Sequence, residues 1–203
     1  MAGPETARGP SETRRSRLTP EREQEIYGTV VDLLNEVDYD ALTMDGVATR
    51  ARASKATFYR QWKSKARLVA AAVRHYKHYD LESVDTGTLR GDLQEIARLV
   101  GDTTSRKNTP PLRALSRAIQ NNAELADAVR ESKTKPEMEL LQRVVERALE
   151  RGEIAPGNPA LDFVGPLITG AALARPSFDG VDADAAYLAR YMDACVLPAL
   201  LQR

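Results

Sequence analysis

Apolar residues recur along this chain at intervals of three and four, the spacing that gathers them on one face of an α-helix. No sustained alternation of the kind a half-buried strand needs is present. Thr19 stands as an N-cap before Pro20, whose missing N–H is no loss at the first helical position. Glu21 and Glu23 suit the positive end of that helix's dipole. Ile26, Val30, Leu33, Leu34 and Val37 then form one stripe, which the turn-prone Asp38–Asp40 ends. Thr43 opens a short second helix over 44–51, with Val47, Ala48 and Ala51 inward. A turn through Arg52 and Ala53 leads to Ser54, the N-cap of a third helix, Lys55–Trp62, which presents Phe58 and Trp62 four residues apart. Ser64 caps a fourth helix that carries Leu68, Val69, Ala72, Val73, Tyr76 and Tyr79 and runs to about Asp80.

The remainder reads the same way. Thr88 starts a segment with Leu89, Leu93, Ile96 and Val100, and Pro110 or Pro111 opens one with Leu112, Leu115 and Ile119. Residues 123–132 continue helically. Pro136 opens a helix with Met138, Leu141, Val144, Val145 and Ala148, and Gly152 stands where a C-terminal glycine cap belongs. Asn158-Pro159 begins the next, with Leu161, Val164, Leu167, Ile168 and Ala171. Asp182 or Asp184 starts the last, with Tyr187, Leu188, Tyr191, Met192, Cys195 and Leu200. The chain is therefore expected to be all-α. Residues 1–18, rich in Pro, Gly, Ser, Thr and Arg and without a hydrophobic period, are expected to be a disordered basic arm. Its Arg14, Arg15 and Arg17 either reach a DNA backbone or minor groove or keep the tail in solution.

Composition narrows the classes. The chain has 203 residues, 42% hydrophobic, 29% charged and 5% aromatic, within the range of ordinary globular proteins. Cys195 is the only cysteine, so no intramolecular disulfide can form. No stretch approaches the ~20 apolar residues that span a bilayer. The opening residues lack a signal peptide's apolar segment, and a cytoplasmic location is expected. Net charge is zero, but the charge is unevenly placed. Between Asp45 and Asp80 there is no acid, while Arg50, Arg52, Lys55, Arg60, Lys63, Lys65, Arg67, Arg74 and Lys77 fall in that interval. Residues 80–203 hold 15 bases and 19 acids. A local basic face is what attraction to phosphates requires, although a solvated helical face has the same composition.

The motif inside that interval decides. Two short helices, a tight turn and a second helix full of small and hydrogen-bonding residues make a helix-turn-helix, with Ile26, Val30, Leu33, Leu34, Leu42, Val47, Phe58 and Trp62 as its core. With that inner face fixed, Lys55, Ala56, Tyr59 and Arg60 point outward, and Thr57 and Gln61 flank them. Residues 26–70 resemble the DNA-binding domain of the tetracycline-repressor (TetR) family. The resemblance rests on Tyr39, Leu42 and Thr43, on the Ser-Lys-x-Thr-Phe-Tyr run from Ser54 to Tyr59, and on Lys63-Ser64-Lys65. The chain departs from the family at Arg52, where a turn glycine is usual, at Ala56, another frequent glycine, and at Arg67, a common glutamate.

The resemblance implies a helix-turn-helix domain over 19–64, a connecting helix over 65–84 and a helical effector-binding and dimerisation domain over 85–203. It implies that Thr43 offers its hydroxyl and backbone N–H to a phosphate, that Lys55 reads guanine O6 and N7, and that Tyr59 and Lys65 meet phosphates. Thr57 reaches a thymine methyl or a phosphate, and Gln61 an adenine edge. Ser54 caps the helix, Ala56 lets it approach the bases closely, and Arg60 lies on the same outward face. Double-stranded DNA with a palindromic operator, a second copy of the chain and a small organic effector are the implied partners. Leu161, Val164, Ile168, Tyr187, Tyr191 and Cys195 form apolar stripes for the dimer interface, with packing inside one protomer as the alternative. No cofactor or metal is expected. His75 and His78 lack an evident third ligand, and no phosphate loop, HExxH or nucleophile arrangement occurs.

Overall fold

A computed structural model of the chain describes residues 18–76, 80–104 and 112–202. The basic arm with Arg14, Arg15 and Arg17, together with Lys77, His78, Tyr79, Pro110 and Pro111, lies outside the described residues. Among the described residues every regular element is helical. The N-terminal set is α1 (Pro20–Glu36), α2 (Met44–Arg50), α3 (Lys55–Trp62) and α4 (Lys65–Tyr76). The C-terminal set is α5 (Leu89–Thr104), α6 (Leu112–Asn121), α7 (Ala123–Val129), α8 (Lys135–Glu150), α9 (Val164–Phe178), α10 (Ala185–Tyr191) and α11 (Leu197–Leu201). No helix among the described residues is long and apolar enough to cross a membrane.

The N-terminal helices start where side chains satisfy their first N–H groups. The Thr19 hydroxyl accepts from Arg22 N at 3.3 Å, and the Thr43 hydroxyl from Gly46 N at 3.0 Å. Helix α1 buries Ile26, Tyr27, Val30, Val31 and Leu34. The expected stripe is rotated: Val37 lies beyond the helix and is exposed, while Tyr27 and Val31 take inner positions. Helix α1 packs against both α2 and α4, so its apolar face is broader than one row. Phe58 and Trp62 of α3 enter this core with ring centroids 4.6 Å apart, and Tyr27 meets Trp62 edge-on at 6.1 Å. An Arg50–Glu36 pair at 2.5 and 2.6 Å clasps α2 to the end of α1.

Pro136, expected to open a helix, instead continues one, and Pro198 does the same within the last helix. Pro136 and Pro198 each stand second in an α segment, α8 and α11, directly after a π-helical turn, Arg130–Thr134 and Met192–Val196. In each turn the closing N–H reaches five residues back, Lys135 to Arg130 and Leu197 to Met192. The wider turn absorbs the donor that proline lacks and relieves its ring against the preceding carbonyls, so the helix continues. Helix α7 thus runs on into α8, and α10 into α11. At Gly152, φ +73°, the chain leaves α8 with Glu153 N bonded to Ala148 O at 2.9 Å, the glycine cap the sequence predicts. Asn158 caps a 3₁₀ turn, Pro159–Phe163, that precedes α9, so the helix itself begins later than expected.

Two cores result. One joins α1–α4 and takes in Leu115, Leu125 and Val129 from α6 and α7. The other unites Leu81 and Val84 with α5, α8, α9, α10 and α11. Helix α7 lies along α4, and α5 lies along α10. The C-terminal half thereby contributes side chains to the core on which α3 rests.

Candidate nucleic-acid interface

Helix α3 has one buried face and presents the other. Phe58 and Trp62 are inside, Ser54, Lys55, Ala56, Tyr59, Arg60 and Gln61 are exposed, and Thr57 is half-buried. Its eight residues rise about 12 Å, matching the width of a DNA major groove. Thr43 is exposed at the start of α2.

The turn that sets α3 against α2 closes like a glycine-capped helix end. Ala53 N reaches Ala48 O at 2.8 Å and Arg52 N reaches Thr49 O at 3.1 Å. Arg52 carries the left-handed φ of +51° that such a turn requires, without being glycine. The Arg22 guanidinium, from the first turn of α1, donates to the carbonyls of Ala51 and Arg52 and pairs with Glu25. A side chain with no place in the sequence reading therefore pins the turn.

The predicted contact residues are tied differently from one another. The Lys55 ammonium donates to Asp45 Oδ2 at 2.5 Å, and the Tyr59 hydroxyl lies 3.5 Å from Asp45 Oδ1. The hydrogen bond to Asp45 pushes the Lys55 pKa up, so the ammonium is held charged. Gln61 donates to Glu23 Oε1 at 2.7 Å, which turns its amide toward α1. Lys65 donates to the carbonyls of Tyr39 and Asp40 at 3.0 and 3.4 Å and stands 4.2 Å from the centre of the Tyr39 ring. It closes the loop between α1 and α2, a structural duty that its spacing did not suggest, and its ammonium has a third donor to give. Ser54 occupies the N-cap position of α3 but makes no side-chain cap hydrogen bond, unlike the cap expected of it. Ser64 does meet Arg67 N, at 3.4 Å.

In the C-terminal half the expected interface residues divide. Val164 and Ile168 are buried within the protomer as part of its second core, the packing that the sequence left open as the alternative to an interface. They lie on the inner side of α9, where α10 and the π turn after it pack. Leu161, Tyr187 and Tyr191 are half-buried at the margin of that core, and Cys195 is exposed. Phe163, Leu173, Phe178 and Val181 are exposed apolar residues in and around α9, and Leu201 is exposed at the end of α11. His75 stacks 5.3 Å from Tyr27, and among the described residues no cluster of three or more His, Cys, Asp or Glu could hold a metal ion.

Comparison with known proteins finds the same layout. A model of bacterial regulatory proteins of the tetR family matches residues 29–72, and one of the tetracyclin repressor-like C-terminal domain matches residues 83–195. The HTH-type transcriptional regulator Rv1556 of Mycobacterium tuberculosis is 37% identical over 134 residues, covering 66% of this chain and 66% of the relative, just under two thirds of its length. The DNA-binding transcriptional repressor TetR of Mycobacteroides abscessus is 35% identical over 135 residues, 65% of this chain and 70% of its own. The crystal structure of the TetR family transcription regulator SCO0332 superposes with a TM-score of 0.62 at 27% identity, over 88% of this chain and 98% of that one.

Proposed function

This chain belongs to the tetR family of bacterial regulatory proteins, and we propose that it is a cytoplasmic, homodimeric repressor that a small organic effector releases from a palindromic operator. The observation that carries the DNA-binding part is the exposed face of α3. It bears Lys55, Tyr59 and Arg60 within an interval free of acids from 46 to 79, over a core that fixes its orientation. Lys55 reads base acceptors, Tyr59 and Thr43 take phosphates, Thr57 and Ala56 face the groove, and Lys65 adds a phosphate contact from the start of α4. Residues 19–64 are the reading head, 65–84 the connection and 85–203 the effector-binding and dimerisation part.

A two-fold protein is what reads two half-sites, and the exposed apolar residues Phe163, Leu173 and Leu201, with Tyr187, Tyr191 and Cys195, supply a face for the second copy. An effector acts by favouring one spacing of the two heads, a coupling of about 1–3 kcal/mol. Packing of α7 on α4, with Leu125 and Val129 in the N-terminal core, supports a direct mechanical route for it. The relative named a DNA-binding transcriptional repressor favours repression over activation. Binding of operator DNA by Lys55→Ala and Tyr59→Phe tests the reading. Each is expected to weaken binding, by about 1–3 kcal/mol for the lysine if it reads a guanine, with an unchanged unfolding midpoint. Undiminished binding by both variants would overturn it.

A further inference from the structure

Asp45 is the last acid before the basic interval, and its carboxylate stands against Lys55 and Tyr59 of the exposed α3 face. It is the second residue of α2, and Lys55 is the first of α3, so the turn brings the two helix starts together. One oxygen takes the Lys55 ammonium at 2.5 Å, and the other faces the Tyr59 hydroxyl, one turn further along α3, at 3.5 Å. Both members of the Lys55–Asp45 pair remain about half-exposed, so the pair is open to solvent and to a docking duplex.

We propose that Asp45 is a specificity-determining residue of the reading head: it holds Lys55 in the orientation that meets base edges, with the Tyr59 hydroxyl set beside it, and masks the attraction of the lysine to phosphates outside that alignment. The inference rests on the DNA-binding reading given above. Lysine is a flexible point charge with three donors. With one donor held by Asp45, two remain for acceptors of a base aligned with α3. A phosphate outside that alignment is reached only by breaking the pair and bringing the Asp45 carboxylate close to the DNA backbone. The carboxylate therefore weakens loose, sequence-independent binding more than it weakens the aligned complex. A net charge of zero is then compatible with selective binding, because the Asp45 carboxylate balances the charge of the reading lysine while two of its N–H donors stay free for base acceptors.

The test compares the full-length wild type with Asp45→Asn on two duplexes, the operator recovered by selection and a mixed-sequence duplex, across roughly 0.05–0.2 M salt. For Asp45→Asn the expected result is a roughly two- to five-fold gain on mixed sequence, the range of one exposed ion pair. The logarithmic salt dependence should steepen by about 0.9 for each head that gains a phosphate contact. Operator affinity should change by less than the mixed-sequence gain, so the ratio between the two duplexes falls. In a Lys55→Ala background the same substitution should leave that ratio unchanged. Far-ultraviolet dichroism and the unfolding midpoint serve as folding controls. An equal gain on both duplexes is what simple removal of a repelling charge would give, and it would overturn the proposal. So would no change on either duplex. If the wild type selects no DNA at all, the DNA-binding reading itself fails, an outcome distinct from both.

Discussion

Arg52 sits at φ +51°, a conformation that costs a residue with a Cβ on the order of 1 kcal/mol. The turn keeps it there because Ala53 N and Arg52 N both close back onto α2 and because Arg22 binds the carbonyls of Ala51 and Arg52. Arg52→Gly should therefore stabilise the protein only slightly, by about 0.5 kcal/mol or less, the strain relieved less the extra freedom of glycine in the unfolded chain. Urea unfolding measures it, and a loss of stability would mean that the arginine side chain makes a compensating contact. Phe58 carries the opposite burden. It is wholly buried against Trp62, so Phe58→Ala should cost about 3–5 kcal/mol and release α3 from its support. The outward position of Lys55 and Tyr59 was legible in the sequence because Phe58 and Trp62 fix the inner face. Asp45, the partner that Lys55 and Tyr59 share, was not, nor were the contacts of Arg22 with the turn and of Glu23 with Gln61, since these groups meet only through the tertiary fold.

At the scale of elements, helical spacing and caps located most of the helices, but they placed a helix start at Pro136 where the structure continues α7 into α8. Spacing by three and four tolerates one inserted residue, so the π turns ahead of Pro136 and Pro198 leave no mark on the pattern, while Pro136 suggests a break. The end of the chain is held by a residue that read only as a helix start. The buried Asn158 amide donates to the carbonyls of Ala199, Leu200 and Gln202 at 3.0–3.1 Å, and its oxygen accepts from Ala160 N at 2.8 Å. These bonds join the beginning of the α9 segment to the last turn of α11. Asn158→Ala leaves those carbonyls without their donor and should cost about 1–3 kcal/mol in denaturant unfolding. A negligible change would mean that water replaces the amide without loss.

For the whole molecule, the division into two cores matters more than the division of the sequence into two halves. Helices α6 and α7 follow α5 in the chain yet place Leu115, Leu125 and Val129 in the core of the reading head. Charge and composition carried no sign of that exchange, because apolar residues on a helix do not say which neighbour they meet. The second copy is expected on the outer side of α9, where Phe163 and Leu173 are exposed while Val164 and Ile168 face inward. Phe163→Asp with Leu173→Asp should yield a folded monomer in sedimentation velocity and weaken palindrome binding. A stable dimer would place the interface elsewhere.

Selection of genomic fragments by the purified protein at ~0.15 M salt, where loose electrostatic binding is screened, is the most direct measurement of the central claim. Recovery of one shared palindrome is predicted, with half-site centres one DNA turn of about 34 Å, or a multiple of it, apart. Recovery of fragments with no common sequence, or of none, would contradict it.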